Sequence, residues 1–289
     1  MRHWMIPLAL LAGAAPLAAQ KGNCALGHLP DGSNEAEIFR IRGASTAFGR
    51  AASPMALREH STMVLFELTS LSNIDAATRT PTYCNDGKPP ENANLLPILP
   101  RPRVIFGLSD EFSFELSWVP PVTVKEVKAN LIGLALARSV PVATGVLSLR
   151  GSATFGVIRA PITCTKAQIA QDTTGLNVPQ CAGGAAPSND HYRPNSFGLD
   201  LAYGWPIAGG KVRPYVGAGV NFLRSRFQVD FTDRNNNHLD QKVEGNYRRG
   251  VLFAGATWIP TARLGLTGEL YADPGTTMVA RLGVGYGLK

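Results

Sequence analysis

Apolar residues fall at every second position along much of the chain from residue 63 onward. That is the period of a strand, whose side chains point alternately to its two faces. The cleanest run is 196–206. Phe197, Leu199, Leu201, Tyr203 and Trp205 share one face, and Ser196, Gly198, Asp200, Ala202 and Gly204 share the other. In 112–119, Phe112, Phe114, Leu116 and Trp118 oppose Ser113, Glu115 and Ser117. In 145–158, Leu147, Leu149, Phe155 and Val157 oppose Ser148, Arg150, Ser152 and Thr154. In 262–271, Leu264, Leu266 and Leu270 oppose Arg263, Thr267 and Glu269. The last run sets Met278, Ala280, Leu282, Val284, Tyr286 and Leu288 against Val279, Arg281 and three glycines. With 63–69, 103–109, 127–137, 212–231 and 241–259, these predict about ten strands, roughly 8 to 12. The run 127–137 is too uniformly apolar to reveal its facing, and Lys128 joins the candidates for the polar face. In 212–231 the apolar phase changes between Phe222 and Phe227, which predicts a bulge near Phe222 and Leu223. That bulge turns Arg224 and Arg226 toward the polar face.

The links between runs carry a second signal. Counted from residue 63, the connections at 70–102 and 159–194 are long, and the one around 233–240 is a polar hairpin tip. Every even-numbered connection is short. Such parity is the habit of a membrane barrel, with short turns at one end and longer loops at the other. It puts both termini of the barrel at the short-turn end. Residues 37–41 read as a short additional strand, and 20–62 as a periplasmic N-terminal extension or a small plug. The fold class expected is all-β, an antiparallel transmembrane barrel over 63–289.

The terminal run, with Tyr286 two residues before apolar Leu288, resembles the C-terminal insertion signal of bacterial outer-membrane β-barrel proteins. It departs from their usual terminal Phe, and Lys289 follows. The resemblance implies an outer-membrane location after export, membrane lipids and the barrel assembly machinery as partners, and a structural or porin-like role. Composition agrees. Arg2 and His3 followed by a short apolar run and Leu17-Ala18-Ala19 read as a signal peptide over 1–19. Its apolar run is shorter than the about 20 residues that a spanning helix needs. Thirty glycines and 21 prolines suit many strands joined by turns. Four cysteines in an exported chain read as two disulfides, with Cys164–Cys181 the local pair. Cys24 and Cys84 are left over. Link parity puts them at opposite ends unless the N-terminal extension threads the lumen or 37–41 adds a strand, so their pairing stays open. The net charge of +7 comes without a basic cluster interleaved with aromatics, so nucleic acid is not an expected partner.

Polar-face charges are the main candidate site: Glu115, Arg150, Asp200, Arg224, Arg226, Arg263, Glu269 and Arg281. A narrow barrel is mostly filled by side chains, and buried charges survive only when paired. The reading is therefore a salt-bridged plug ahead of an anion-preferring pore. Asp233, Asn235, Asn237, Asp240 and Glu244 resemble a calcium loop with His238 where a Gly is usual, so Ca²⁺ is the one cofactor to consider. A polar hairpin tip explains the same residues. Ser188, Asp190 and His191 crowd one loop without a hydrolase motif, and no enzymatic activity is expected. Two further roles remain open: a surface binding module using loops 70–102 and 159–194, and a soluble exported barrel or sandwich that binds a lipid.

Overall fold

The computed structural model describes residues 27–55, 57–83, 89–171, 181, 184–233 and 235–288. The signal-peptide region, Cys24 and Cys84 lie outside them. Ten strands form the wall: β1 (Thr62–Ser70), β2 (Ile98–Gly107), β3 (Phe112–Val119), β4 (Val127–Val142), β5 (Gly145–Ala160), β6 (Asp190–Gly204), β7 (Val212–Gln228), β8 (Lys242–Trp258), β9 (Leu264–Asp273) and β10 (Thr277–Gly287). Each pairs antiparallel with the next, and β10 closes onto β1 through Arg281↔Thr69 to Gly287↔Met63. The meander closes on itself, while β8 extends past β9 at the loop end and carries Gly27–His28 beside Val243 and Glu244 there. The chain is a ten-stranded antiparallel β-barrel, as the period-two pattern predicts.

Alternation decides which side chain meets which medium. Outward-facing Phe197, Leu199 and Leu201 are 42%, 50% and 48% exposed, while inward-facing Ser196 and Ala202 are buried. The same inversion runs through β1, where Val64, Phe66 and Leu68 point out and Leu65, Glu67 and Thr69 point in. Aromatic rings gather at both margins of the apolar band. Phe106, Phe112, Trp258 and Tyr286 mark the short-turn end, with Tyr203 stacked on Trp205 at 5.8 Å. Trp118, Phe155, Phe197 and Phe222 mark the loop end, with the Phe155 and Phe197 rings edge to face at 5.4 Å.

Several boundaries differ from the sequence reading. Strand β2 begins at Ile98, not 103, despite Pro100 and Pro102. Both prolines lie where β2 pairs only with β1, so β3 loses no donor. Strand β4 runs through Pro141, and the chain reverses at Ala143 (φ 50°) and Thr144. Strand β6 begins at Asp190. Strand β7 keeps one register with both β6 and β8, with no bulge at Phe222. Arg224 and Arg226 therefore face outward with Phe222, and Leu223 and Phe227 face inward. Lys128 is also outward.

The cause is the N-terminal segment. Residues 37–41 are not a strand but part of helix α1 (Asn34–Thr46), which sits inside the loop-end half of the barrel. Ser33 caps it, its Oγ accepting from the Ala36 N–H at 3.2 Å, and Glu35 and Glu37 occupy the first turn. Buried Phe39 and Ala36 pack with Leu131, Ile158, Tyr192, Leu223 and Val243 from the wall. The lumen is thus apolar at this height, which is why β7 places apolar residues inward there. Gly27–His28 runs parallel to the start of β8, at the loop end. Residues 47–55 descend from α1, and the chain leaves at the short-turn end, where the His60 N–H donates to the Gly107 carbonyl. Both ends of the barrel, Thr62 and Gly287, lie at the turn end as the link parity predicts, while the segment before it is followed from Gly27 at the loop end down through the lumen.

Candidate functional site: the clamp in the lumen

Below α1 the wall turns from apolar to charged. Strands β1, β2, β3, β5, β9 and β10 each contribute inward charges: Glu67, Arg101 and Arg103, Glu115, Arg150, Glu269, and Arg281. Asp200 joins from β6 and Arg50 from the threaded segment. Five of the eight wall charges expected from sequence meet here: Glu115, Arg150, Asp200, Glu269 and Arg281. Arg263 does not; it is exposed in the β8–β9 turn. Glu67, Arg101 and Arg103 were missed because β1 reads MVLFELT with one charge, and β2 was placed too late to set Arg101 and Arg103 on a common face.

The guanidiniums do two jobs. They pair with carboxylates: Arg150 grips Glu115 with Nε and Nη2 at 3.0 and 3.1 Å, Arg281 meets Glu269 at 2.8 Å, Arg50 meets Asp200 at 2.6 Å, and Arg103 bonds Glu67. They also hold the backbone of residues 46–49. Arg101 donates to the Thr46 carbonyl (2.8 Å), Arg101 and Arg281 to Ala47 (both 3.4 Å), Arg150 to Phe48 (2.9 Å) and Arg103 to Gly49 (2.8 Å). Four consecutive carbonyls are thus taken by four wall arginines. An extended segment inside a barrel has no ladder partner, and orphaned buried carbonyls are costly. The arginines supply the donors. Phe48 projects into the same space, its ring 4.2 Å from the Arg103 guanidinium carbon and 4.8 Å from that of Arg150.

Counted by name, the clamp holds five arginines (50, 101, 103, 150, 281) against four carboxylates (67, 115, 200, 269). That near balance keeps so many charges buried together. The cavities lined by described residues beside this cluster are small. A cavity of about 70 Å³ lies beside α1, and one of about 40 Å³ beside Arg50 and Glu115. A wider vestibule of about 550 Å³ opens at the turn end between Met55, Arg213 and Arg263. Residues 46–50 cross the mid-lumen among these charges.

At the loop end, residues 71–83 and 89–97 fold over α1. Arg42 donates to the Ala93 carbonyl (3.0 Å), the Ser72 carbonyl (2.8 Å) and Asn94 Oδ1 (2.7 Å). The Glu35 carboxylate accepts from the Thr82 and Tyr83 N–H groups. Cys164 and Cys181 form the expected disulfide, both fully buried. Asp190 is buried as a loop anchor. Its carboxylate accepts from the Ile162, Thr163 and Asp230 N–H groups and from the Ser188 hydroxyl. His191 lies on the opposite face of β6, so Ser188, Asp190 and His191 do not converge.

The calcium-loop residues do not converge either. The Asp233 carboxylate accepts from Asn237 Nδ2 and from the Asn235 and Asn237 N–H groups, which holds its pKa below the usual range. Glu244 turns to Arg226 on the outer wall, and Asp240 is exposed beside Lys242. Among the described residues, no three His, Cys, Asp or Glu side chains are placed to hold a metal ion. Asp233 acts as a hairpin-tip cap.

The sequence matches no protein-family model and no curated protein. Among solved structures it is similar to the N-terminal β-barrel domain of Pseudomonas aeruginosa OprF, at 12% identity and TM-score 0.30, over 80% of this chain and 100% of that one. It is also similar to Yersinia pestis Ail, the attachment invasion locus protein (7%, TM-score 0.30, 79% and 97%), and to the Acinetobacter baumannii outer membrane protein Omp33 (7%, TM-score 0.31, 79% and 98%). The barrel assignment itself rests on this chain's own strand pairing.

Proposed function

We propose that this chain is a bacterial outer-membrane β-barrel, sealed by its own N-terminal segment, that holds two elaborate loops at the cell surface as a binding platform and has no catalytic role. The wet and dry faces support the membrane. Among the described residues, thirty large apolar side chains on the outside are at least a third exposed. Half-exposing each forfeits about 1 kcal/mol, on the order of 30 kcal/mol together, well beyond the net stability of a domain. A lipid environment removes that deficit, and it also argues against a soluble lipid-binding barrel.

The observation that carries the sealed reading is the arginine clamp on the carbonyls of residues 46–49. It leaves voids too small for a solute path, which weighs against porin-like passage. The surface role rests on the loops after β1 and β5, whose described parts are anchored by Arg42, Asp190 and a disulfide rather than left as plain connections. The test is planar-bilayer recording of the purified full chain. No steady conductance is expected, and reproducible single-channel steps from the unmodified protein would overturn the sealed barrel. Deleting 75–92 or 165–180 then separates the loops as binding elements from the wall.

A further inference from the structure

Strands β4 to β8 are 15 to 17 residues long, against 8 to 11 for the other five. About 9–11 residues cross a bilayer. The longer strands therefore continue past the apolar band at the loop end, and their outward residues change character there. On β6, β7 and β8 the rows Leu199–Val220 and Phe197–Phe222 give way to Asn195–Arg224–Asn246 and then Arg193–Arg226–Glu244, with Arg248 beside Phe222.

Arg193 lies directly opposite Arg226, a like-charge cross-strand pair that is destabilising unless a counter-charge intervenes. Glu244 supplies one, to Arg226 alone. Among the described residues no carboxylate pairs with Arg193, Arg224 or Arg248, all exposed. Arg224 and Arg248 instead lie over the rings of Phe197 and Phe222, at 6.0 and 5.8 Å. A groove of about 850 Å³ runs between these side chains on the outside of the wall.

We propose that this groove is a binding site for the phosphate-bearing headgroup of a membrane glycolipid or phospholipid in the leaflet at the loop end. The geometry suits that occupant in two respects. The acyl chains lie against Phe155, Phe197, Phe222 and Leu199 just below, continuous with the apolar band. The phosphates then meet three uncompensated guanidiniums, whose planar forks bind phosphate oxygens in pairs. A soluble anion would satisfy the arginines but would leave the adjoining apolar row to other lipids.

The proposal rests on the membrane reading, and its test separates the two. The full chain in detergent is titrated with a bis-phosphorylated diglucosamine lipid and with the same lipid lacking phosphates. Retained lipid is read by native mass spectrometry, and the shift in unfolding temperature is read alongside. R193Q/R224Q/R248Q is compared with K211Q/R263Q at the opposite end, both checked for a folded, heat-modifiable band. Wild type and the turn-end variant should retain the phosphorylated lipid. The triple variant should bind it about a hundredfold more weakly. Equal retention by the triple variant, no preference for the phosphorylated lipid, or capture of a soluble polysulfated sugar with no lipid retained would each overturn the site. A protein that needs no detergent would instead sink the membrane reading.

Discussion

Gly49 shows how tightly single positions are fitted. A Cβ there would sit 1.7 Å from Arg281 Nη1, while the Gly49 carbonyl is held by Arg103. Gly49→Ala should therefore push the segment off its donors and cost about 1–3 kcal/mol. The readout is the temperature at which the unboiled gel band converts to the unfolded one. Burial sets the scale for charges. Glu269 is fully buried and accepts from Arg281 at 2.8 Å and from the Tyr215 hydroxyl at 2.9 Å. Glu269→Gln leaves a buried guanidinium without its charge partner and should cost about 3–5 kcal/mol. Glu111 pairs with Arg138 at 2.9 Å, but their side chains are 44% and 58% exposed. Glu111→Gln should cost less than about 1 kcal/mol. Equal denaturation midpoints for the two variants would contradict the buried clamp.

At the scale of elements, α1 was hidden by its surroundings. Glu37 to Ile41 reads as a short strand, whereas Ser33 as a cap with acids in the first turn signals a helix. The spacing of Ala36, Phe39, Gly43 and Ala44 gives the same signal. No single apolar stripe marks it, because the wall encloses it on several sides and small residues suit the close approach. Gly43 faces Leu223, whose Cδ1 would lie 3.1 Å from an added Cβ. The Cys164–Cys181 bridge spans 17 residues, a loop length whose closure is worth about 3 kcal/mol in chain entropy. That stabilisation is local to the β5–β6 loop. Reduction should speed tryptic cleavage after Lys166 severalfold, followed by mass spectrometry of the fragments, while the folded barrel band persists. Loss of that band on reduction would mean that the loop supports the wall.

For the whole molecule, closure and the threaded segment work together. Ten strands enclose a lumen wide enough to need filling, and residues 34–55 fill it with a helix above and a clamped extended chain below. The outside is apolar between two aromatic girdles, so the barrel should stay in solution only with detergent or lipid. It should also migrate faster unboiled than boiled. Monodisperse behaviour in detergent-free buffer would refute the assignment.

Alternation along the sequence determined an all-β chain of about ten strands and the outward row from Phe197 to Trp205, because a period of two maps directly onto two faces. Link parity determined which end carries the loops, and the spacing of Cys164 and Cys181 determined one bridge. Tertiary structure alone decided what fills the lumen. The facing of Arg224 and Arg226 depends on whether apolar α1 or water lies inside at their height, and the pairing of Arg101 and Arg103 depends on a backbone segment some fifty residues away. No local pattern carries that information, since the polarity of a wall position is set by what the closed barrel holds opposite it.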